Sequence, residues 1–394
     1  MVLQKLKSKI TRGDNAETYQ ASEGVEEINT ENQSILLGII AQLRPGCDLS
    51  RITLPTFILE KKSMLERITN AFMTPEILIE ANATEDEVDR FLKIVKWYLS
   101  GWHIAPKAVK KPLNPVLGEV FSCYWNKLPH DCSAYYVAEQ TSHHPPESSY
   151  FYLIPEQRIR ADGVLIPKSK FLGNSSAAMM EGVACLKLGL HGGESYTVTQ
   201  PNIYCRGILF GKLRYELGDH MLVKCEDTGL EADIEFKTKG FLSGEYDTIE
   251  GTVQRGGKVL YLISGKWNGL MEIQEIATGE KKTFYDTSNS SVIHAHVKQL
   301  EKQDLNESQR LWHDTISALE KGDHETATNK KFDVEDKQRE EAKERREKGE
   351  EFVPKLFKST ADGEIPYSIN AEIDILEDSP ETMLAKLFAV HQIH

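Results

Sequence analysis

The segment Leu230-Glu-Ala-Asp-Ile-Glu-Phe-Lys237 alternates apolar and polar residues with period two, the pattern of a strand with one wet face. It lies in a stretch, from about residue 118 to 300, that is punctuated by turn signals. These are His191-Gly192-Gly193, Leu217-Gly218-Asp219, Arg255-Gly256-Gly257 and Thr278-Gly279-Glu280. Many short strands with regular turns predict an antiparallel meander. Closing it into a barrel would remove edges on which other chains could pair. No internal repeat of solenoid period is visible.

Helical patterns flank this region. Ser34 is a plausible N-cap for a run in which Ile35, Leu36, Ile39, Ile40 and Leu43 share one face, and Arg44-Pro45-Gly46 ends it. Capping boxes at Ser63 with Glu66 and at Thr84 with Glu87 predict two further helices, the second with Val88, Phe91, Leu92, Val95 and Leu99 at helical spacing. Thr74-Pro75 opens another. Beyond residue 300, Asn306 with Gln309 reads as a cap, Trp312, Thr315, Ile316 and Leu319 share a face, and residues 330–350 form a mixed-charge helix. The order of helix, large β region and helix predicts an α+β fold dominated by β. Residues 1–30 are polar without sustained periodicity and are expected to be mobile in solution.

Bulk properties exclude several classes. The 394 residues suffice for one large domain or two ordinary ones. No apolar run approaches the roughly 18–20 residues of a spanning helix. The N-terminus shows neither a secretory signal nor a glycine for myristoylation, so a cytosolic protein is expected. Six cysteines without a CxxC pair suggest neither zinc nor a redox centre, and read as small buried hydrophobes. A formal net charge of −13 argues against a nucleic-acid partner and against a permanent polybasic anchor, so membrane contact should be brief.

The most informative string is Glu139-Gln140-Thr141-Ser142-His143-His144-Pro145-Pro146-Glu147-Ser148. Two prolines after two histidines favour extended backbone, on which neighbouring rings face opposite sides; a turn is needed before both can face one ligand. Three readings stand beside one another. The pair is incidental in a loop, or it belongs to a metal site, although no third Cys or His is near at ligand spacing. The third is an anion site completed by Lys or Arg from elsewhere in the chain.

The string Glu-Gln-Thr-Ser-His-His-Pro-Pro resembles the fingerprint of the oxysterol-binding-protein-related family, which includes the yeast Osh proteins. Other pieces agree in order. Lys110-Lys111-Pro112-Leu113-Asn114-Pro115-Val116-Leu117-Gly118-Glu119 resembles the family's KPxNPxxGE segment, and Leu54-Pro55 the stretch after the lid. Ser264-Gly265-Lys266-Trp267-Asn268 resembles a GKW strand, and Lys331, Glu335 and Arg339 a basic-acidic-basic set on a late helix. The resemblance covers roughly residues 34 to 360. It implies a large near-closed barrel around a lipid tunnel, with the helix at 34–46 as lid, helices over 60–105, barrel strands over 106–300 and a C-terminal helical region over 301–394. It further implies a phosphatidylinositol 4-phosphate head-group site at Lys111, Asn114, His143, His144, Lys331, Glu335 and Arg339, with Glu335 holding the cations. Taken alone, a charge-rich helical face is usually solvated and an amphipathic stripe usually core.

The string from Asp48 to Glu66 resembles the short yeast members that carry phosphatidylserine. That implies a second head-group set of Leu54, Lys111, Asn114 and Ser169, with sterol as the alternative cargo. The expectation is a carrier that exchanges phosphatidylserine for phosphatidylinositol 4-phosphate, without cofactor or metal, at endoplasmic reticulum–plasma membrane contacts. An enzyme using His143 or His144 as base is disfavoured by the lack of a GxSxG elbow or a paired acidic metal site. A lipid sensor that moves no cargo is the remaining class.

Overall fold

Leu230, Ala232, Ile234 and Phe236 are buried and the residues between them are not, so the alternation seen in the sequence becomes one strand, Leu230–Lys237, with its apolar face on the core. The computed structural model describes residues 56–104, 110–208, 213–240, 244–360 and 365–394, and the backbone of Ala16–Thr18. The expected lid (Ile35, Leu36, Ile39, Ile40, Leu43) and Leu54 lie outside the described residues. Ala16–Thr18 pairs antiparallel with Ser291–Ile293, a short strand where the periodicity predicts none.

Fourteen strands form the main sheet. The first four are β1 (Val120–Leu128), β2 (Cys132–His143), β3 (Pro146–Ile154) and β4 (Ile159–Phe171). Then come β5 (Ser175–Glu181), β6 (Ala184–Leu188), β7 (Glu194–Val198) and β8 (Asn202–Arg206). The last six are β9 (Arg214–Cys225), β10 (Leu230–Lys237), β11 (Thr248–Arg255), β12 (Lys258–Lys266), β13 (Leu270–Glu275) and β14 (Lys281–Asp286). Three of the four predicted turns join strands. At Gly256-Gly257 the φ angles of 56° and 80° suit a two-residue hairpin, with Arg255 opposite Lys258.

The fourth, Leu217-Gly218-Asp219, is not a turn. It lies inside β9, where the strand changes partner: Arg214–Gly218 pairs with β8 and Val223 and Lys224 with β7, while Asp219–Cys225 also pairs with β10. Gly218 serves close packing here, because a Cβ would meet the Tyr204 ring at 2.7 Å. β4 changes partner in the same way, from β6 over Ile159–Gly163 to β5 over Ile166–Phe171. The sheet therefore forks between β4 and β9, one branch through β6 and β7, the other through β5 and β8.

The sheet is near-closed rather than sealed, as the resemblance implies: β1 and β14 do not pair with each other. The edge of β1 is instead covered by the chain that follows the sheet. Tyr124 exchanges backbone hydrogen bonds with His296 at 2.9 and 2.7 Å, and Val120 donates to the carbonyl of Asn306 at 2.9 Å. A covered edge is protected without closure. This also corrects the expected cap at Asn306: its side chain donates to the Gly118 carbonyl at 2.9 Å, and Glu307 occupies the N-cap position of the helix Ser308–Leu311 without a side-chain capping bond.

Helices α1 (Pro75–Asn82) and α2 (Glu87–Ser100) pack on the core face of the sheet. Pro75 stands at the first turn of α1, as predicted. Asp86, not Thr84, caps α2, accepting from Val88 and Asp89 N–H at 2.9 Å each. Thr84 still belongs to the end of α1, its hydroxyl donating to the Glu80 carbonyl. Ser63 accepts from Leu65 N–H, although the helix it starts, Met64–Arg67, is a single turn. Phe91, Ile94, Val95 and Leu99 are fully buried. Arg90 forks onto Glu194 of β7 at 2.8 and 2.7 Å, tying α2 to the sheet.

On the outer face of β2 and β3, Val137, Phe151 and Leu153 meet a second core. It is built by Phe357 and Ile369 of a small hairpin (Phe357–Ser359 with Tyr367–Ile369) and by Met383 and Leu387 of the helix Pro380–Val390. The C-terminal region is thus not wholly helical. Burial on both faces explains why β2 reads as a near-continuous apolar run rather than an alternating one.

Candidate functional site

A cavity of ≈ 330 Å³ is lined by the forked strands, by α2 and by the segment around Lys111. Its walls are mostly apolar, among them Trp102, Leu165, Leu186, Val198 and Ile203. Lys111, Asn114 and Ser169 also line it, with Lys111 and Asn114 exposed at its mouth. A mostly apolar wall with a few polar groups fits an amphipathic molecule of which only the head needs hydrogen bonds.

The mouth is held by short-range geometry. Lys111–Leu113 runs parallel to Leu59–Ser63, with Leu59 opposite Lys111. Lys110 donates to the Phe57 carbonyl at 2.8 Å. Six residues past Leu113, Glu119 is fully buried and accepts from Val116 N–H at 3.1 Å, Ser308 Oγ at 2.7 Å and Trp312 Nε1 at 2.9 Å. Burial pushes its pKa up, and those donors hold it down. Glu139 plays the matching part in the histidine string. It is buried and accepts from the backbone N–H groups of Lys355 and Leu356 at 2.9 and 2.8 Å. Each motif carboxylate therefore pins the mouth to a C-terminal segment.

The string Ser142-His143-His144-Pro145-Pro146 supplies the turn that both rings require. β2 ends at His143, β3 begins at Pro146 opposite it, and the His144-Pro145 bond between them is cis. The two imidazoles meet edge to face with centroids 4.5 Å apart, and His143 Nδ1 lies 3.2 Å from His144 Nε2. His143 is half-buried; burial first, then its neighbour His144, push its pKa down to about 4. It is neutral at pH 7. His144 is exposed. Pro146 lines the cavity, so the histidine hairpin borders the mouth without entering it.

Helix α3 (His324–Lys348) contains the predicted 330–350 segment up to its C-cap, Gly349. Val334 joins a small core with Leu113, and Val116 packs against it, which sets the helix against the mouth segment. Lys331 pairs with Glu335 and is largely buried. Gln338, one further step along that stripe, accepts from Leu117 N–H at 3.0 Å and lies 2.8 Å from His143 Nε2. Arg339 makes no hydrogen bond to either histidine. It is exposed and paired with Asp336, because one residue past Gln338 is a rotation of about 100° around the helix. So Glu335 holds one of the two expected cations.

Gln338, Glu119 and Glu139 were not assigned roles from sequence. Gln338 was within reach, since positions 331, 335 and 338 follow the spacing of one helical face. The two glutamates sit inside the quoted strings, but nothing local in sequence shows that their partners lie about 200 residues away.

An apolar cavity with a basic, hydrogen-bonding mouth defines a binding domain for one lipid-like molecule. The chain belongs to the oxysterol-binding protein family, whose profile matches residues 38–373. It is 59% identical over 372 residues to the oxysterol-binding protein-like protein OBPa of Candida albicans, covering 93% of this chain and 86% of that one. It is 55% identical over 364 residues to oxysterol-binding protein homolog 7 of Saccharomyces cerevisiae, covering 90% and 83%. In fold it is similar to the Osh1 ORD domain in complex with cholesterol, at a TM-score of 0.74 and 22% identity over 97% and 96% of the two chains. It is likewise similar to the Osh3 ORD of Saccharomyces cerevisiae in complex with PI(4)P, at a TM-score of 0.63 and 22% identity over 89% and 92%. The family is one of lipid-binding and lipid-transfer domains. Among the described residues, no helix is long and apolar enough to cross a membrane.

Proposed function

We propose that this chain carries one membrane lipid at a time and exchanges phosphatidylserine for phosphatidylinositol 4-phosphate between membranes, at endoplasmic reticulum–plasma membrane contacts. The observation that carries the reading is a mostly apolar cavity lined by Lys111, Asn114 and Ser169 and bordered, through Pro146, by the histidine hairpin. An anionic head at the mouth meets a lysine there, and acyl chains meet the apolar walls. The phosphoinositide would use Lys111, Asn114, His143, His144, Lys331 and Arg339, with Glu335 ordering Lys331. Phosphatidylserine would use Lys111, Asn114 and Ser169, with Leu54 beside its chains and the 34–46 helix as lid. Support for phosphatidylserine comes from the resemblance of the 48–66 string to yeast carriers of that lipid. Support for the phosphoinositide comes from the histidine string and from the PI(4)P-bound relative of similar fold.

The test is mass spectrometry of lipid co-purified with the protein, followed by extraction from liposomes. Capture of both phospholipids is expected. Capture of sterol in place of phosphatidylserine would replace the second cargo, and release of inorganic phosphate would make the protein an enzyme.

A further inference from the structure

We propose that Gln338 is a positioning residue that fixes the proton on each motif histidine, making His143 a relay and leaving His144 Nδ1–H as the donor presented to an anion. The inference rests on the proposed phosphoinositide reading only for the identity of that anion.

The backbone N–H of Leu117 can only donate, and it lies 3.0 Å from Gln338 Oε1. The reverse orientation of the amide would set its NH2 against that N–H, so the oxygen must face Leu117. The NH2 of Gln338 is then the group 2.8 Å from His143 Nε2. An NH2 donates, so His143 Nε2 must offer a lone pair, and the ring's proton is on Nδ1. Nδ1 faces His144 Nε2 at 3.2 Å. That nitrogen must in turn accept, which places the proton of neutral His144 on its own Nδ1. A single direction therefore runs from the Leu117 backbone through Gln338 and His143 to His144. A proton on His143 Nε2 would face the NH2 of Gln338, so the relay also disfavours His143 as a cation. His144, exposed at the outer end, is the histidine free to meet a phosphate.

The experiment uses the full chain labelled with 15N-histidine, and long-range 1H–15N spectra at neutral pH, with the two rings assigned through His143→Gln and His144→Gln. Both histidines should be Nδ1–H tautomers. In Gln338→Glu the carboxylate still accepts from Leu117 but can no longer donate, so His143 should invert to Nε2–H. Gln338→Leu should weaken phosphatidylinositol 4-phosphate extraction about tenfold, as expected for losing one hydrogen bond in a charged site, while leaving phosphatidylserine extraction within twofold. An Nε2–H tautomer at His143 in the unaltered chain overturns the proposal. So does an unchanged tautomer in Gln338→Glu with dispersed, native-like spectra, or undiminished phosphoinositide extraction by Gln338→Leu. If the unaltered chain shows the Nδ1–H pair but extracts no phosphoinositide, the proton arrangement stands and the cargo assignment falls.

Discussion

Gln140 donates its backbone N–H to the carbonyl of Glu119 at 2.9 Å, and its own carbonyl accepts from Gly118 at 3.0 Å. Through that pair of bonds the two most distinctive strings of the sequence become neighbours at one end of the sheet. The side chains beside this junction, Glu119 and Glu139, face away from the cavity and hold C-terminal segments. The strings are therefore as much scaffold as site, and substitutions within them should separate into two kinds.

Glu119→Leu belongs to the scaffold kind. It leaves Trp312 Nε1 and Val116 N–H without their acceptor in a fully buried place, while Ser308 Oγ keeps only the Val120 carbonyl at 3.2 Å. A loss of about 2–4 kcal/mol is expected, read as a lower denaturation midpoint. Unaltered stability would show that these donors find other partners.

His143→Ala with His144→Ala belongs to the site kind. The pair is half-exposed, and among the described residues the side chain hydrogen-bonded to it from outside the string is the half-buried amide of Gln338, so stability should fall by less than about 1.5 kcal/mol. Extraction of phosphatidylinositol 4-phosphate from liposomes should be abolished, and that of phosphatidylserine spared. Equal loss of both lipids would place the histidines in the shared part of the mouth.

The sheet was legible because its information is local. Period two in Leu230–Lys237 and the Gly-Gly pair after Arg255 each specify their own backbone. What was missed depends on partners distant in sequence. Gly218 looks like a turn until β8 and β10 are both in place beside β9. Nor does any local pattern show that the chain at His296 and Asn306 covers the β1 edge. In the site, the spacing of Lys331 and Glu335 gave the helical face, but the direction of Arg339 is set by Asp336 on the far side.

Glu76, on the first turn of α1, should make stability depend on pH. Its Oε2 is buried with no hydrogen-bond partner among the described residues, and burial pushes its pKa from 4.5 to about 7. Below pH 4.5 the carboxyl is protonated folded or unfolded. Between 4.5 and 7 the unfolded chain gives up the proton while the folded chain keeps it. This group's support for the fold thus fades as pH rises through 7. Glu76→Gln should match the parent at pH 4 and exceed it by about 1–2 kcal/mol at pH 8, a figure reduced for its partial exposure. A gain of equal size at both pH values would trace to packing instead.

Arg90→Met strands Glu194 in the interior, where the two now form a buried pair. A cost of about 3–5 kcal/mol is expected. Adding Glu194→Gln should recover part of it, since the residual charge is removed while Tyr196, which now donates to Glu194, keeps an acceptor. A double variant no better than the single one would mean the loss lies in α2 packing.

Exchange itself follows from the overlap at Lys111 and Asn114. Both line the same cavity, and both are proposed to serve either head group, whereas His143 and His144 are proposed to serve only the phosphoinositide. Overlapping sites make the two lipids mutually exclusive, so delivery of one empties the mouth for the other. A gradient of phosphatidylinositol 4-phosphate can then move phosphatidylserine against its own. Phosphatidylserine transfer between liposomes should accelerate when the acceptor membrane contains the phosphoinositide. Lys111→Ala should slow transport of both lipids roughly tenfold, as expected for losing one charge-assisted hydrogen bond. A two-liposome assay with a fluorescent reporter for each lipid measures this. Transfer indifferent to the counter-lipid, or simultaneous occupancy by both, would reduce the protein to a simple carrier.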